Sequence, residues 1–215
     1  MTSVIPSDVM GFIKPRWKGK QMALTFYYST VNAGKTAKLI LDAHAHKSRD
    51  VKTLVLLPEI ALSRESGNTL SSRAGLSCEI TSLPNGGCPH SLVSGLGELP
   101  EVVFIDEVQF LTSAQIRGLC NISDLLNVPV FAFGLRTNFY GEPFEGSIYL
   151  MAWADRIVEI PTPSTREKHI FATMNIRVCT ETREGLSGEG GIEVGFNFEP
   201  VSRKYFNLNE RWEEK

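Results

Sequence analysis

Leu24-Thr25-Phe26-Tyr27-Tyr28-Ser29-Thr30-Val31-Asn32-Ala33-Gly34-Lys35-Thr36 is the stretch on which the reading of this chain turns. Phe26, Tyr27 and Tyr28 favour extended backbone and place a first strand over residues 22–31. Small residues then turn the chain, and Gly34-Lys35-Thr36 opens a helix expected over residues 35–48. A strand, loop and helix in this order aim backbone N–H groups and the positive end of the helix dipole at phosphate oxygens. Lys35 is spaced to reach the β- and γ-phosphates of a nucleoside triphosphate, and the Thr36 hydroxyl to ligate Mg²⁺. The pattern G-x-x-x-x-G-K-S/T is met except that Ser29 stands at its first glycine position.

Glu101-Val102-Val103-Phe104-Ile105-Asp106-Glu107-Val108-Gln109-Phe110 is the downstream companion. A continuous apolar run ending in acids reads as a buried parallel strand whose carboxyl end opens on the ligand crevice. There Asp106 can hold the Mg²⁺ shell, and Glu107 can orient or deprotonate a nucleophile. Residues 52–57 give another buried strand, ended by Pro58. Arg64 follows it at the crevice edge and is a candidate phosphate clamp, and Arg73 is a second.

The chain has 215 residues and a net charge of −2, with 42% hydrophobic and 21% charged residues. That length carries one full core and a small appendage. Nothing in the charge pattern gives the basic footprint of a nucleic-acid binder. No apolar run is long enough to span a bilayer, and the first residues lack the apolar centre of a signal peptide. The four scattered cysteines (Cys78, Cys88, Cys120, Cys179) suit reduced thiols in a cytoplasm.

Residues 1–21 lack periodicity and read as a flexible extension with the basic cluster Lys14, Arg16, Lys18 and Lys20. Residues 59–77 read as a polar loop, and residues 83–100 as broken chain with one short turn at 92–96. Thr112-Ser113-Ala114-Gln115 is a capping-box pattern that starts a helix with Ile116, Leu119 and Cys120 on one face. Strands follow over residues 129–134 and 156–160, with a helix over 147–155 between them. Residues 161–215 change character: stretches 170–176 and 192–198 flank a Gly-rich turn, which indicates a small antiparallel unit. The fold class is therefore α/β, a P-loop-like parallel sheet flanked by helices over residues 22–160, with a small β-rich lasso domain over 161–215.

Three further stretches give the chain a family likeness. Phe26 to Thr36 resembles the phosphate loop of the thymidine kinases found in bacteria, large phages and animal cytosol, in which a serine at the Ser29 position is usual. Ile105-Asp106-Glu107-Val108-Gln109-Phe110-Leu111, Gly134-Leu135-Arg136-Thr137-Asn138-Phe139 and Pro143-Phe144-Glu145-Gly146-Ser147 are similar to that family in the same register. The resemblance implies transfer of the ATP γ-phosphate to the 5′-hydroxyl of thymidine, for nucleoside salvage and DNA synthesis. It makes Glu107 the catalytic base, with Mg²⁺ on Thr36 and Asp106. ATP would meet Ser29, Thr30, Val31, Asn32, Ala33, Gly34, Lys35, Thr36, Asp106, Glu107, Val108 and Gln109, together with Arg64. Thymidine would meet Phe110, Leu135, Phe139, Phe144, Thr173 and Phe198. The resemblance also implies a homotetramer, while charge and hydropathy indicate no nucleic-acid and no membrane partner.

The chain departs from the family at its small domain. Ser164, Arg166, Ser202 and Tyr205 fall where the family has its zinc ligands, so no structural zinc is expected. Packing of Ile170, Phe171, Phe196, Phe198, Tyr205 and Phe206 is expected to compensate. Leu62 stands where the family commonly has an acid, and Val31 where it often has a methionine. A P-loop ATPase in which Glu107 orients water is one alternative reading. An ATP-binding homologue without phosphotransfer is another.

Overall fold

Apolar runs that sequence reasoning separates by tens of residues pair side by side in the computed structural model, which describes residues 23–64, 67–179 and 196–209. In chain order the core contains β1 (Leu24–Ser29), α1 (Lys35–Lys47), β2 (Thr53–Pro58), β3 (Thr69–Ser71), β4 (Ser77–Glu79), β5 (Thr81–Leu83) and α2 (Pro89–Ser94). It continues through β6 (Val102–Ile105), α3 (Ser113–Leu126), β7 (Val130–Leu135), α4 (Glu145–Trp153) and β8 (Arg156–Glu159). The remainder is β9 (Thr162–Pro163), β10 (Phe171–Ala172), β11 (Met174–Cys179), β12 (Phe196–Val201) and α5 (Arg203–Asn209).

One six-stranded sheet runs β5-β2-β6-β7-β1-β8. Every neighbouring pair in it is parallel. Parallel strands need crossovers that cover both faces. The side chains of β6 show the result: Val103 and Ile105 join the cluster with Ile116, Leu119, Ile122 and Leu150 of α3 and α4. Val102 and Phe104 join the opposite one with Leu39, Ile40 and Ala43 of α1. Period-two alternation in a strand with no polar member therefore means two buried faces.

Local chemistry fixes the helix starts. Thr112 and Gln115 form the expected reciprocal capping box at α3, and Ile116 and Leu119 are fully buried. Gly34 begins α1 with φ 79, a left-handed turn open to glycine at no steric cost.

Three segments differ from the sequence reading. Residues 59–77 are no plain loop: a 3-10 turn (Glu59–Arg64) leads into the β3–β4 hairpin. Residues 81–83 form β5, a sheet edge hydrogen-bonded to β2. The short turn expected at 92–96 is instead α2, opened by Pro89 at its first turn, where a missing N–H costs nothing.

The β11–β12 antiparallel pair is the small β unit expected near the end of the chain. Its compensating core is smaller than expected. Phe206 is buried with Ile176, Val178 and Val201, and Tyr205 packs against them. Ile170, Phe171 and Phe198 are exposed. The two-residue strands β9 and β10 make a sheet too small to bury large side chains. Residues 1–21, the Gly-rich turn and the start of the stretch expected at 192–198 lie outside the described residues.

Candidate functional site

The loops after β1, β6 and β7 leave the same edge of the parallel sheet, because all three strands point one way. The β1 loop is shaped for an anion. Asn32 and Gly34 both take positive φ. No side chain caps α1 and no acid stands in its first turn, so its leading N–H groups are not neutralised locally. Lys35 is buried in the loop and donates from Nζ to Ser29 Oγ at 2.9 Å and to the Thr30 carbonyl at 2.7 Å. Ser29 thus supplies a side-chain oxygen where glycine would offer none. The Thr30 hydroxyl is buried without a hydrogen-bond partner among the described residues. A buried orphan hydroxyl beside a buried ammonium is a polar site awaiting a polar ligand. Burial pulls the Lys35 ammonium down to about 8, against the opposing pull of Asp106 and then Glu107.

Asp106 reaches this loop from the end of β6. Its Oδ2 accepts from the Thr36 hydroxyl at 2.7 Å, and its Oδ1 accepts from the Glu107 N–H at 2.9 Å. Burial, then the neighbouring Glu107 carboxylate, push Asp106 up to about 7, while the Thr36 and Glu107 hydrogen bonds and Lys35 oppose the rise. A hydroxyl and a buried carboxylate in contact suit a hard cation that keeps most of its water, as Mg²⁺ does. Such a site needs no cluster of three or more His, Cys, Asp or Glu, and none occurs among the described residues.

Glu107 takes φ 55, uncommon for a residue with a side chain, and opens a 3-10 turn (Val108–Phe110). Two glycines let that turn sit against its neighbours. A Cβ on Gly146 of α4 would stand 2.2 Å from the Val108 carbonyl oxygen. A Cβ on Gly134 of β7 would stand 2.7 Å from Val108 Cγ2 and 2.8 Å from Gln109 Oε1.

Aromatic side chains pair on the segments that follow β6 and β7. Phe110 and Phe144 meet edge-to-face with centroids 6.0 Å apart. Phe139 lies 5.8 Å from Phe198, and the Arg177 guanidinium lies 4.9 Å over the Phe139 ring. Leu135 is fixed at both backbone groups: its N–H donates to Gln109 Oε1 at 3.1 Å, and its carbonyl accepts from Ser147 Oγ at 2.5 Å. The Thr173 carbonyl accepts from Arg136 Nη2 at 2.7 Å. Arg73 reaches the β1 loop itself, donating to Asn32 Oδ1. Arg64 ends its 3-10 turn, and its side chain lies outside the description.

Sequence reasoning passed over Asn175. It is buried in β11, where Oδ1 accepts from the Val31 N–H at 2.9 Å and Nδ2 donates to the Thr137 carbonyl at 2.9 Å. Asn32 Nδ2 also donates to the Phe198 carbonyl at 3.2 Å. The small β unit is therefore tied directly to the phosphate loop. A polar residue in an otherwise apolar strand was the available signal, since buried amides need partners.

Ser164, Ser202 and Tyr205, which the resemblance sets against zinc ligands, come together in a hydrogen-bonded knuckle. Its hub is Glu167. Glu167 Oε2 accepts from Ser164 Oγ at 3.3 Å and from the Ser202 N–H at 3.2 Å, and the Tyr205 N–H donates to Ser202 Oγ at 3.0 Å. Arg166 turns away to pair with Glu199 at 2.6 Å. The two-residue gaps 164–167 and 202–205 match paired zinc turns, yet the donors are hydroxyls, one carboxylate and a phenol. With no thiolate or imidazole among those four, zinc does not fit. Dialysis against EDTA should leave the thermal midpoint unchanged, while Glu167→Ala should speed hydrogen exchange at the Ser202 amide. A midpoint that falls with EDTA would contradict this account.

Comparison with known proteins identifies the family. The family model described as thymidine kinase matches residues 22–193. A thymidine kinase of Coxiella burnetii is 40% identical over 192 residues, covering 87% of this chain and 96% of that protein. One from Rhodopirellula baltica is 38% identical over 187 residues, covering 85% and 87%. One from Yersinia pseudotuberculosis is 41% identical over 181 residues, covering 83% and 90%. Among solved structures, Bacteroides Pif1 bound to ssDNA superposes with a TM-score of 0.33 at 14% identity, over 65% of this chain and 38% of that one.

Proposed function

This chain belongs to the thymidine kinase family, and on that premise we propose that it transfers the γ-phosphate of ATP to the 5′-hydroxyl of thymidine. The observation that carries the reading is the 2.7 Å contact between Thr36 and Asp106, which joins the phosphate loop to the acid pair. Phosphoryl transfer asks mainly for positioned phosphates, neutralised charge and a nucleophile held in line. Lys35 exchanges Ser29 and the Thr30 carbonyl for the triphosphate, and the Thr30 hydroxyl gains a partner. Thr36 and Asp106 would hold magnesium, which supplies charge neutralisation at the β- and γ-phosphates. Glu107 takes the proton of the 5′-hydroxyl. Phe110, Phe144, Phe139 and Phe198 offer flat apolar surface to a pyrimidine, with Leu135 and Thr173 beside them. Val108 and Gln109 stay near the triphosphate through the turn that carries them, and residues 22–160 and 161–215 act as kinase and lasso units.

Thymidine-dependent release of ADP from ATP tests this reading. Release that ignores thymidine would favour the ATPase alternative, and ATP binding without release would favour the degenerate one.

The pH profile follows from the two buried groups. MgATP capture needs Asp106 ionised and Lys35 protonated, and the free-protein values lie at about 7 and about 8. Below that window Asp106 takes up a proton and loses its hold on the cation. Above it Lys35 becomes neutral and loses the phosphates. We expect kcat/KM for MgATP to peak between about 7 and about 8, because this parameter reports the free enzyme. A flat profile across two units on either side would contradict the assignment.

Assembly as a homotetramer is supported by β8. All four of its residues are exposed, with Ile157 at 45% and Val158 at 36%, on an open sheet edge. Apolar residues on an uncovered edge strand invite pairing. Ile157→Lys should shift sedimentation toward smaller species. Cys88 and Cys120 are free thiols, which suits a reducing compartment, and we place the protein in the cytoplasm.

A further inference from the structure

We propose that Gln109 is a positioning residue that sets the Glu107 carboxylate for proton removal and ties that setting to the Leu135 wall of the acceptor pocket. The inference rests on the reading of Glu107 as the base.

Gln109 is only 2% exposed, and both ends of its amide are engaged. Oε1 accepts from the Leu135 N–H at 3.1 Å, and Nε2 donates to Glu107 Oε2. The orientation of this amide is dictated by its partners. A backbone N–H can only donate, so it takes the oxygen end. The NH₂ end then faces the Glu107 carboxyl group and donates to it. Turning the amide over would set donor against donor and acceptor against acceptor.

Glu107 needs such a guide. Its backbone is held in the left-handed region at φ 55, and its side chain has several rotatable bonds. Among the described residues, the Gln109 amide is the hydrogen-bond donor that its carboxylate meets. The bond occupies Oε2 and leaves Oε1 for the acceptor hydroxyl. Gly134 makes the arrangement possible, since a Cβ there would lie 2.8 Å from Gln109 Oε1. Leu135 is pinned from its other side by Ser147 at 2.5 Å, so the anchor of the amide is itself fixed. One amide N–H is committed to Glu107 and the amide oxygen to Leu135, so the protein itself holds both ends of the side chain. The geometry therefore gives Gln109 a task beyond the ATP contact that family likeness implies.

Gln109→Met keeps the length of the side chain and removes both hydrogen bonds. It should lower kcat by about 10- to 100-fold, the scale of a misplaced catalytic group. The ATP dissociation constant, measured by calorimetry, should stay within about twofold, because the phosphate loop is untouched. The discriminating measurement is the double variant. If Gln109 acts through Glu107, adding Gln109→Met to Glu107→Gln should cost no further activity. Full multiplication of the two losses would overturn the proposal, as would a tenfold weaker ATP complex with kcat intact. Gln109→Asn, which keeps an amide one methylene too short to bridge, should behave as Gln109→Met and covers the case in which the latter folds poorly. A Glu107→Gln variant with full activity would overturn the base assignment and this inference together. Wild-type protein without thymidine-dependent turnover would overturn the proposed function instead, and the ATP-affinity arm would still decide whether Gln109 serves the nucleotide.

Discussion

Glu107→Gln should lower kcat by about 10²- to 10⁴-fold, the usual worth of a positioned general base. The change keeps the shape of the side chain and removes the lone charge that accepts the proton. ATP binding should persist, because the groups that shape the phosphate site are elsewhere: Lys35 on its loop, and Thr36 against Asp106 at 2.7 Å. The KM for thymidine should move less than kcat, since the apolar walls around Phe110 and Phe144 are unaffected. Steady-state kinetics with both substrates varied, together with calorimetric titration of ATP, separates these effects. Full activity in this variant would remove Glu107 from the chemistry.

Gly146→Ala should be the most damaging of the small substitutions. Its Cβ would stand 2.2 Å from the Val108 carbonyl oxygen, 2.9 Å from that of Leu111 and 3.3 Å from that of Gln109. All three neighbours are backbone, so no side chain can swing away. Either α4 lifts from the 3-10 turn or the turn itself moves. Lifting α4 strains the Ser147 bond to Leu135 and the Glu145 bond to the Ser113 N–H at 2.8 Å. Overpacking of this kind costs about 3 kcal/mol. For a chain of this size that is a fall of roughly 6–12 °C in thermal midpoint. Activity should fall further than stability alone explains, because the displaced turn carries Glu107 and Gln109. Gly97→Ala is the control: a Cβ there meets nothing within 4 Å, and the midpoint should hold. Circular dichroism melts of the two variants would decide, and equal midpoints would mean that the turn yields freely.

The parts of the site that were legible beforehand are those written in local sequence. The aromatic run 26–28, the glycine before Lys35 and the apolar strand ending at Asp106 each carry their own signal, because strand burial and left-handed turns restrict residue type locally. The capping box at Thr112 is of the same kind. β3, β4 and β5 were not legible. Each has three residues, mostly half-exposed or exposed, and β5 owes its conformation to hydrogen bonds from β2. The small unit near the end of the chain misled in the other direction. Ile170, Phe171 and Phe198 look like core by composition, yet among the described residues no second layer covers them.

The amino-acid order alone determined that this protein has a phosphate loop, an acid-tipped strand and a parallel α/β core, since those features depend on neighbours a few residues apart. Only the tertiary structure decided how the pieces constrain one another. Asn175 meets the Val31 N–H across 144 residues, and Gln109 meets Leu135 across 26. It also decided that Glu167 joins Ser164 and Ser202 in one hydrogen-bonded knuckle. A buried polar side chain announces that it must have a partner, but which one it finds depends on distances that the folded chain alone creates.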